Sequence, residues 1–163
     1  MRPAIQLLLI TAIALFPDRA QAQTAYSIDV GAITAFEDAA VQIGFRAAPS
    51  VANKAGPDIL FATFPDALIH GFMLFTLDVD ATYGAPLGQQ FTLYPRFGGS
   101  ILAGGGGSSG GGGAAFGYNV GVGLLGRATP TLGARIDYTH HTYVGGGGTL
   151  PVSSISIGFV WMH

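Results

Sequence analysis

The last eleven residues, Ser153–His163, have the sequence SSISIGFVWMH and decide how the rest of the chain is interpreted. Apolar side chains occupy every second position from Ile155 to Trp161, and serine or glycine fills the positions between them as far as Gly158. This period of two residues is that of a β-strand whose two faces meet unlike environments. A strand at the end of a sheet exposes an unpaired edge unless it pairs with the first strand. The stretch therefore predicts a closed barrel.

The first 22 residues have the form of a secretory signal peptide. Arg2 supplies the positive end, Leu7–Phe16 the short apolar segment, and Ala20-Gln21-Ala22 the small-x-small cleavage site. The apolar segment is too short to span a bilayer as a helix. We therefore predict a cleaved signal peptide over residues 1–22 and one exported barrel domain over residues 23–163.

Composition narrows the class of protein further. Charged residues make up 10% of the chain, against about 25% in a typical soluble domain, so too few charges are present to coat a soluble surface. After the signal peptide, no run of about 20 residues is apolar enough for a membrane-spanning helix. A membrane barrel satisfies both observations, because only every second residue of each strand faces lipid. The net charge of −2 does not indicate the excess of basic residues that is typical of nucleic-acid-binding proteins.

Seven more strands are predicted between turn-forming segments, and all but one of them show alternation like that of the last strand. The eight predicted strands comprise residues 25–36, 41–48, 59–64, 71–83, 90–103, 114–128, 131–144 and 153–163. The third is apolar except at Thr63, so its alternation does not show which residues face inward. Pro95 lies within the fifth strand, where we expect a bulge or a local break because proline cannot donate to the ladder. The segments predicted as turns or loops include residues 37–40, 50–58, 85–89, 104–113 and 145–151.

Orientation follows from placing both termini in the periplasm, so that the first, third, fifth and seventh connections face outward from the cell. Four aromatic side chains then fall at periplasmic strand ends, where membrane barrels carry an interfacial girdle: Tyr26, Tyr83, Phe91 and Trp161. The inward positions carry four acids and four bases: Asp29, Asp78, Asp80, Asp137, Arg46, Arg96, Arg127 and Arg135. Because an eight-stranded interior is filled by side chains, we predict that these charges are paired.

The end of the chain resembles the C-terminal assembly signal of bacterial outer-membrane β-barrels. The matching positions are Ser156, Gly158, Trp161 and His163, where the family usually ends on Phe instead of His. The mature chain as a whole resembles the small eight-stranded outer-membrane barrels of Gram-negative-type bacteria. This resemblance implies an all-β, antiparallel, up-and-down eight-stranded transmembrane barrel in the outer membrane of a diderm bacterium. It also implies a monomer without a cofactor that contacts outer-membrane lipid, lipopolysaccharide and the barrel assembly machinery.

His140-His141 is the one place where the sequence indicates possible catalytic chemistry. On the alternation of the seventh strand, His140 projects to lipid near the outer rim and His141 points inward toward Asp137. A carboxylate beside an imidazole, with a hydroxyl in reach, can activate a nucleophile or a water. Small barrels that deacylate or acylate lipid A use such groups at the outer rim. The deacylase arrangement His-x-Ser is replaced here by His140-His141-Thr142, and a structural role for both histidines is the favoured interpretation.

Two further patterns have structural explanations. Gly121-Val-Gly123-Leu-Leu-Gly126 matches the dinucleotide-binding fingerprint, but no helix follows it, and glycines that fit a crowded barrel interior explain it better. Asp78 and Asp80 share a face and could hold a divalent cation, but without further oxygen ligands at suitable spacing they are expected to pair with inward arginines.

The sequence thus predicts an outer-membrane barrel with a packed polar interior and a structural or surface-interaction role, with no enzymatic activity and no metal. The first alternative is a lipid A-modifying enzyme, a deacylase or acyltransferase, that uses His141 with Asp137. The second is a narrow pore, because inward glycines can leave voids even though an eight-stranded interior is normally packed.

Overall fold

The computed structural model describes residues 24–35, 38–49, 55–106, 111–145 and 148–163. The predicted signal peptide lies outside these residues. Within these ranges, no helix is long and apolar enough to cross a membrane.

Antiparallel strands account for almost all of the described chain. They are β1 Thr24–Ala35, β2 Asp38–Pro49, β3 Ala55–Thr63, β4 Phe72–Tyr83, β5 Ala85–Leu87, β6 Phe91–Gly106, β7 Gly112–Arg127, β8 Leu132–Gly145 and β9 Gly148–Met162. A short helix, α1 Pro65–Ile69, joins β3 to β4. The long strands pair in sequence order, β4 pairs with β6, and β5 extends the β4 side of that ladder. Pairing of β9 with β1 closes the sheet, so the predicted eight-stranded up-and-down barrel is confirmed.

The closing seam runs the full length of β1. It extends from the pair Ala25 and Met162 to the pair Ala35 and Val152. Just beyond it, Thr24 and His163 exchange both backbone hydrogen bonds, each at 3.1 Å. His163, which departs from the usual end of the resembled family, therefore extends the ladder through its backbone.

Burial alternates along the strands with polar side chains inside. In β1, Ser27 and Asp29 are each 1% exposed, whereas Ile28 is 53% and Val30 55% exposed. Such an arrangement is the reverse of a soluble protein's and suits a sheet whose outer face meets hydrocarbon. The last residues of β1, β3, β6 and β8 lie at one end of the barrel, here called the outer end, and the described chain termini lie at the other, the terminal end.

The structure shows the facing of β3, which the sequence left open. Leu60 and Ala62 point inward, and Ile59 and Phe61 point outward. Asp58 continues the inward set and is 1% exposed. Its assignment to a turn over residues 50–58 was therefore wrong, because turn-forming residues before it hid the start of the strand.

Pro95 faces outward from a β6 that continues through it. The ladder on one side of β6 stops at the pair Thr82 and Arg96 and resumes in the same register at the pair Ala85 and Leu93. The local break expected at Pro95 thus falls in the strand paired with β6, where it separates β4 from β5. Strand β6 itself does not bulge. A missing N–H interrupts the ladder without changing its register.

Several segments predicted as loops belong to strands instead. Residues 38–40, 55–58, 85–87, 104–106, 112–113, 145 and 148–151 are all in extended pairing. Glycine-rich and mixed segments show no alternation, yet their backbone groups pair as well as any others. Helix α1 was not predicted either, because five residues are too few to show a helical period; Pro65 opens it, a position where a missing N–H costs nothing.

Closure makes the middle of β1 intolerant of proline. Val30 pairs with Ile43 on one side and Ile157 on the other, and its side chain points outward. We expect Val30→Pro to remove a ladder hydrogen bond that nothing in a bilayer can replace, and so to abolish the form that migrates differently before and after boiling on a denaturing gel. Val30→Ala should keep that form. A normal boiling-dependent shift in Val30→Pro would contradict the closed seam.

Candidate functional site

The interior of the barrel holds a network of charged side chains, here called the charge network. It consists of Asp29 (β1), Arg46 (β2), Asp58 (β3), Arg96 (β6), Arg135 (β8) and Asp137 (β8). All six are buried. Strand alternation points each of them inward, and the register of five different strands brings them together.

Arg46 links the first three strands. Its Nε donates to Asp29 Oδ2 at 3.0 Å, and its Nη1 donates to both oxygens of Asp58 at 3.0 and 3.1 Å. Arg46 and both aspartates are each 1% exposed. Charge-assisted bonds of this length stabilise groups that would otherwise be very costly to bury.

Arg135 and Arg96 hold the other side of the network. Arg135 makes a two-point contact with Asp137, Nε to Oδ2 at 2.6 Å and Nη2 to Oδ1 at 2.8 Å. Arg96 lies 3.4 Å from Asp137 Oδ1, and its Nη2 donates to Thr139 Oγ1. Asp58 Oδ2 lies 3.7 Å from Arg96 and 3.6 Å from Arg135, so this one carboxylate contacts all three arginines.

A second polar cluster, the His141 cluster, contains His141, Asp78, Ser100 and Tyr143. His141 Nε2 lies 3.0 Å from Asp78 Oδ2, and Ser100 Oγ donates to the other oxygen of Asp78. Ser100 Oγ also lies 2.9 Å from Tyr143 Oη, and the rings of His141 and Tyr143 stack at 5.6 Å. Asp78 thus lies between the imidazole and the hydroxyl. In a nucleophilic triad the imidazole lies between them, so this arrangement does not activate Ser100.

The catalytic candidates are not brought together in the predicted way. Asp137 is bound by arginines, and His141 has Asp78 as its carboxylate partner. His140 is half-buried on the outward side, with Nδ1 at 3.0 Å from Ser153 Oγ of β9. The sequence could not place Ser153 beside His140, because that contact depends on the register of two strands.

The remaining predicted charges lie apart from the arginines or at the barrel end. Asp80 accepts a hydrogen bond from Asn119 Nδ2 at 2.9 Å, and Arg127 is half-buried at the terminal end of β7. Expecting Asp78 and Asp80 to pair with arginines was wrong, because Asp58 supplies the third carboxylate that the arginines bind. Among the described side chains, no group of three or more His, Cys, Asp or Glu is arranged to hold a metal ion.

Inward glycines make room for the charged side chains. Three inward aspartates are each paired across the ladder with a glycine: Asp29 with Gly158, Asp80 with Gly98, and Asp137 with Gly123. A Cβ on any of these glycines would overlap a carboxylate oxygen of its partner. A Cβ on Gly121 would lie 2.8 Å from Arg96 Nε. Part of the Gly121-x-Gly123 pattern therefore reflects space for the charge network and its neighbours.

Aromatic side chains surround the seam at the terminal end. Tyr26 stacks between Phe45 and Trp161, with ring centroids 6.1 Å from each. Tyr83 and Phe91 are exposed on the outer face. Of the other residues in the C-terminal pattern, Ser156 and Gly158 face inward and His163 is exposed.

Comparison with known proteins identifies the fold. No protein-family profile and no curated protein matches the chain. Among solved structures, Neisserial surface protein A is similar with a TM-score of 0.61 at 11% identity, over 85% of this chain and 95% of that one. The N-terminal β-barrel domain of Pseudomonas aeruginosa OprF has a TM-score of 0.60 at 17% identity, over 86% and 99%. Ail of Yersinia pestis, solved with the heparin analogue sucrose octasulfate, has a TM-score of 0.59 at 11% identity, over 87% and 97%.

These similarities, together with a closed sheet whose polar side chains face inward and whose apolar side chains face outward, define the class of fold. The chain has the eight-stranded transmembrane β-barrel fold of small bacterial outer-membrane proteins.

Removing Arg46 should destabilise the barrel strongly. Arg46→Met leaves Asp29 and Asp58 buried without their closest cation, and loss of one partner from a buried ion pair costs about 3–5 kcal/mol. The measurement is a urea titration in lipid vesicles, with the folded fraction read on unboiled gels. Gln42→Met, which changes a buried residue on the same face of the same strand, is the matched control. Equal urea midpoints for the two variants would contradict a stabilising role for the network.

A methyl group at Gly158 should be destabilising because of Asp29. We expect Gly158→Ala to cost about 1–3 kcal/mol, as overpacking of a filled interior does, in the same titration. Gly99→Ala is the control, because its Cβ would face outward with Gly117 O as its nearest atom at 4.0 Å. In the double variant Asp29→Ala with Gly158→Ala, the two costs should be less than additive. Strict additivity would mean that the two positions do not interact.

Proposed function

We propose that this chain is an outer-membrane barrel protein with a packed polar interior, whose role is structural or surface-interacting and not catalytic. The observation that carries the proposal is the charge network, in which three arginines and three aspartates from five strands contact one another at 2.6 to 3.7 Å. Side chains locked in this way favour a filled interior over an aqueous channel.

Outer-membrane residence is supported by three features together. They are the predicted signal peptide, the apolar outer face, and the aromatic stack of Tyr26, Phe45 and Trp161 at one barrel end. We propose a monomer without a cofactor, in contact with outer-membrane lipid and lipopolysaccharide. The assembly machinery would recognise the last strand at Ser156, Gly158, Trp161 and His163.

The outer end offers little for an anionic partner. The segments that follow β1, β3, β6 and β8 in the sequence, residues 36–37, 64–71, 107–111 and 146–147, contain no lysine or arginine. Recognition of sulfated or phosphorylated groups relies on such cations. A ligand such as the heparin analogue seen with Ail is therefore not favoured for this chain, and contact with lipopolysaccharide is proposed to involve its hydrocarbon portion.

The lipid A-modifying alternative has weaker support. His141 and Asp137 bind different partners, and the hydrogen bond between His140 and Ser153 would give a nucleophile and a base without a described carboxylate to orient the imidazole. Expression of the protein in a suitable host followed by mass spectrometry of lipid A tests this alternative. A mass change that disappears in Ser153→Ala or His141→Ala would establish it.

A packed interior predicts that the barrel conducts no ions across a bilayer. Residues 23–163 refolded and reconstituted in a planar bilayer should give no steady ionic steps above background, because the charge network fills the middle of the barrel. A known porin in the same bilayer is the positive control, and the boiling-dependent gel shift confirms that the sample is folded. Steady conductance steps from folded protein would favour the narrow pore and refute the packed interior.

A further inference from the structure

The interior changes character toward the outer end, where its inward side chains become apolar. Two cavities of about 620 and 230 Å³ lie there and share Leu74 and Leu102 in their walls. The larger is lined by Ala67 of α1 and by residues at the outer ends of β4, β6 and β7. Cavities of about 300–1,000 Å³ are typical of small-molecule sites. The two cavities are together called the outer chamber.

The lining of the outer chamber fits a ligand without polar groups along its body. Among the residues that the structure describes, its walls are formed by Leu, Phe, Val, Ile, Met, Ala and Gly. The charge network does not contribute to it. Gly104 and Gly113 contribute no side chain to the larger cavity. A sugar or a nucleotide would leave its hydroxyls unpaired against such walls, at a large cost.

The inner boundary of the outer chamber is polar. Toward the terminal end, the next inward residue after Leu74 is Thr76, and the next after Leu102 is Ser100. Ser100 is hydrogen-bonded to Tyr143. Both Thr76 and Ser100 are buried. An extended apolar space thus ends at hydroxyl groups, which limits how deep a hydrocarbon can enter.

The smaller cavity lies beside the outer part of β2, where β2 is no longer paired with β3. Pairing of β2 with β3 ends at Ile43 and Thr63, although β2 continues to Asp38. Above that point, Asp66 Oδ2 of α1 accepts the N–H of Val41 at 3.1 Å. Ala39 and Ala40, which pair with β1 but not with β3, line the cavity. The ladder between β2 and β3 therefore stops short of the outer end, beside small side chains that line the smaller cavity.

The geometry points to a binding site for one linear hydrocarbon chain in the outer chamber, carried by a molecule whose headgroup has no net negative charge. Apolar walls select the chain, and the absence of lysine and arginine from the segments that follow β1, β3, β6 and β8 disfavours a headgroup of net negative charge. The chain belongs either to a free neutral molecule or to an acyl group of a zwitterionic phospholipid. This site goes beyond the proposed structural role and does not depend on it.

Photo-crosslinking with neutral probes tests the site. The barrel is reconstituted in lipid discs with a long-chain alkanol that carries a diazirine near its chain end, or with a zwitterionic phospholipid that carries the same group on one acyl chain. Crosslinked residues are mapped by peptide mass spectrometry. We expect label on inward Leu74 and Leu102 in addition to label on outward residues such as Ile101 and Phe116. Label from the alkanol alone identifies a free molecule, and label from the phospholipid alone identifies a lipid acyl chain.

Filling the chamber should remove the inward label. Gly113→Phe places a ring in the chamber without a backbone clash, because a Cβ at Gly113 has no atom within 4 Å. It should lose label at Leu74 and Leu102 and keep label on Ile101 and Phe116. Gly99→Phe, which adds the same ring outside, should keep both. If Gly113→Phe fails the gel-shift test for folding, Ala115→Phe replaces it at another wall residue.

Three results would overturn the proposal. They are label confined to outward residues in the wild-type protein, inward label that survives filling in a folded variant, and equal inward labelling by a carboxylate-headed probe of the same chain length, which would refute the neutral headgroup. None of them bears on the bilayer conductance, so failure of this site is distinguishable from failure of the packed interior.

Discussion

The structure depends on one constraint, that a sheet surrounded by hydrocarbon must pair every backbone N–H and C=O within itself. The β1–β9 seam meets this constraint, and the paired backbones of Thr24 and His163 extend it beyond the last strand residue. A closed sheet of eight strands then has a narrow inside and a lipid-facing outside, so alternate residues must differ in polarity. The constraint also explains Asp66 on Val41, where a side chain satisfies a donor that β3 does not reach.

The inside of the barrel is organised by layers. Apolar residues close the terminal end, among them Tyr94, Leu125 and Val160. The charge network lies above them with Asp58 among all three arginines, then the His141 cluster, and then the apolar outer chamber. Neighbouring glycines are as necessary to this arrangement as the charges, because aspartate side chains lie across the positions that a larger residue would fill. Removal of a side chain and addition of a methyl group therefore act on the same network.

Alternation was enough to predict the eight strands, closure and the inward position of most charges. Contacts between strands were not predictable, because a one-residue change of register moves every partner. The sequence accordingly paired His141 with Asp137, its neighbour on the same strand face, whereas the fold pairs it with Asp78 of β4. It missed Asp58 because Asn, Lys, Gly and Pro before it are typical of turns. Glycine-rich strand ends and the five-residue helix carry no period at all, so their extent could only come from the structure.

Trp161 gives the closing seam an optical property of its own. It is the only tryptophan in the chain, and its ring belongs to the last strand while its partners belong to the first two. Before the ends of the sheet meet, Tyr26 and Phe45 can contact each other but not this indole. Its emission therefore distinguishes a barrel that has joined its two edges from one that has inserted all its strands and remains open, without any added label.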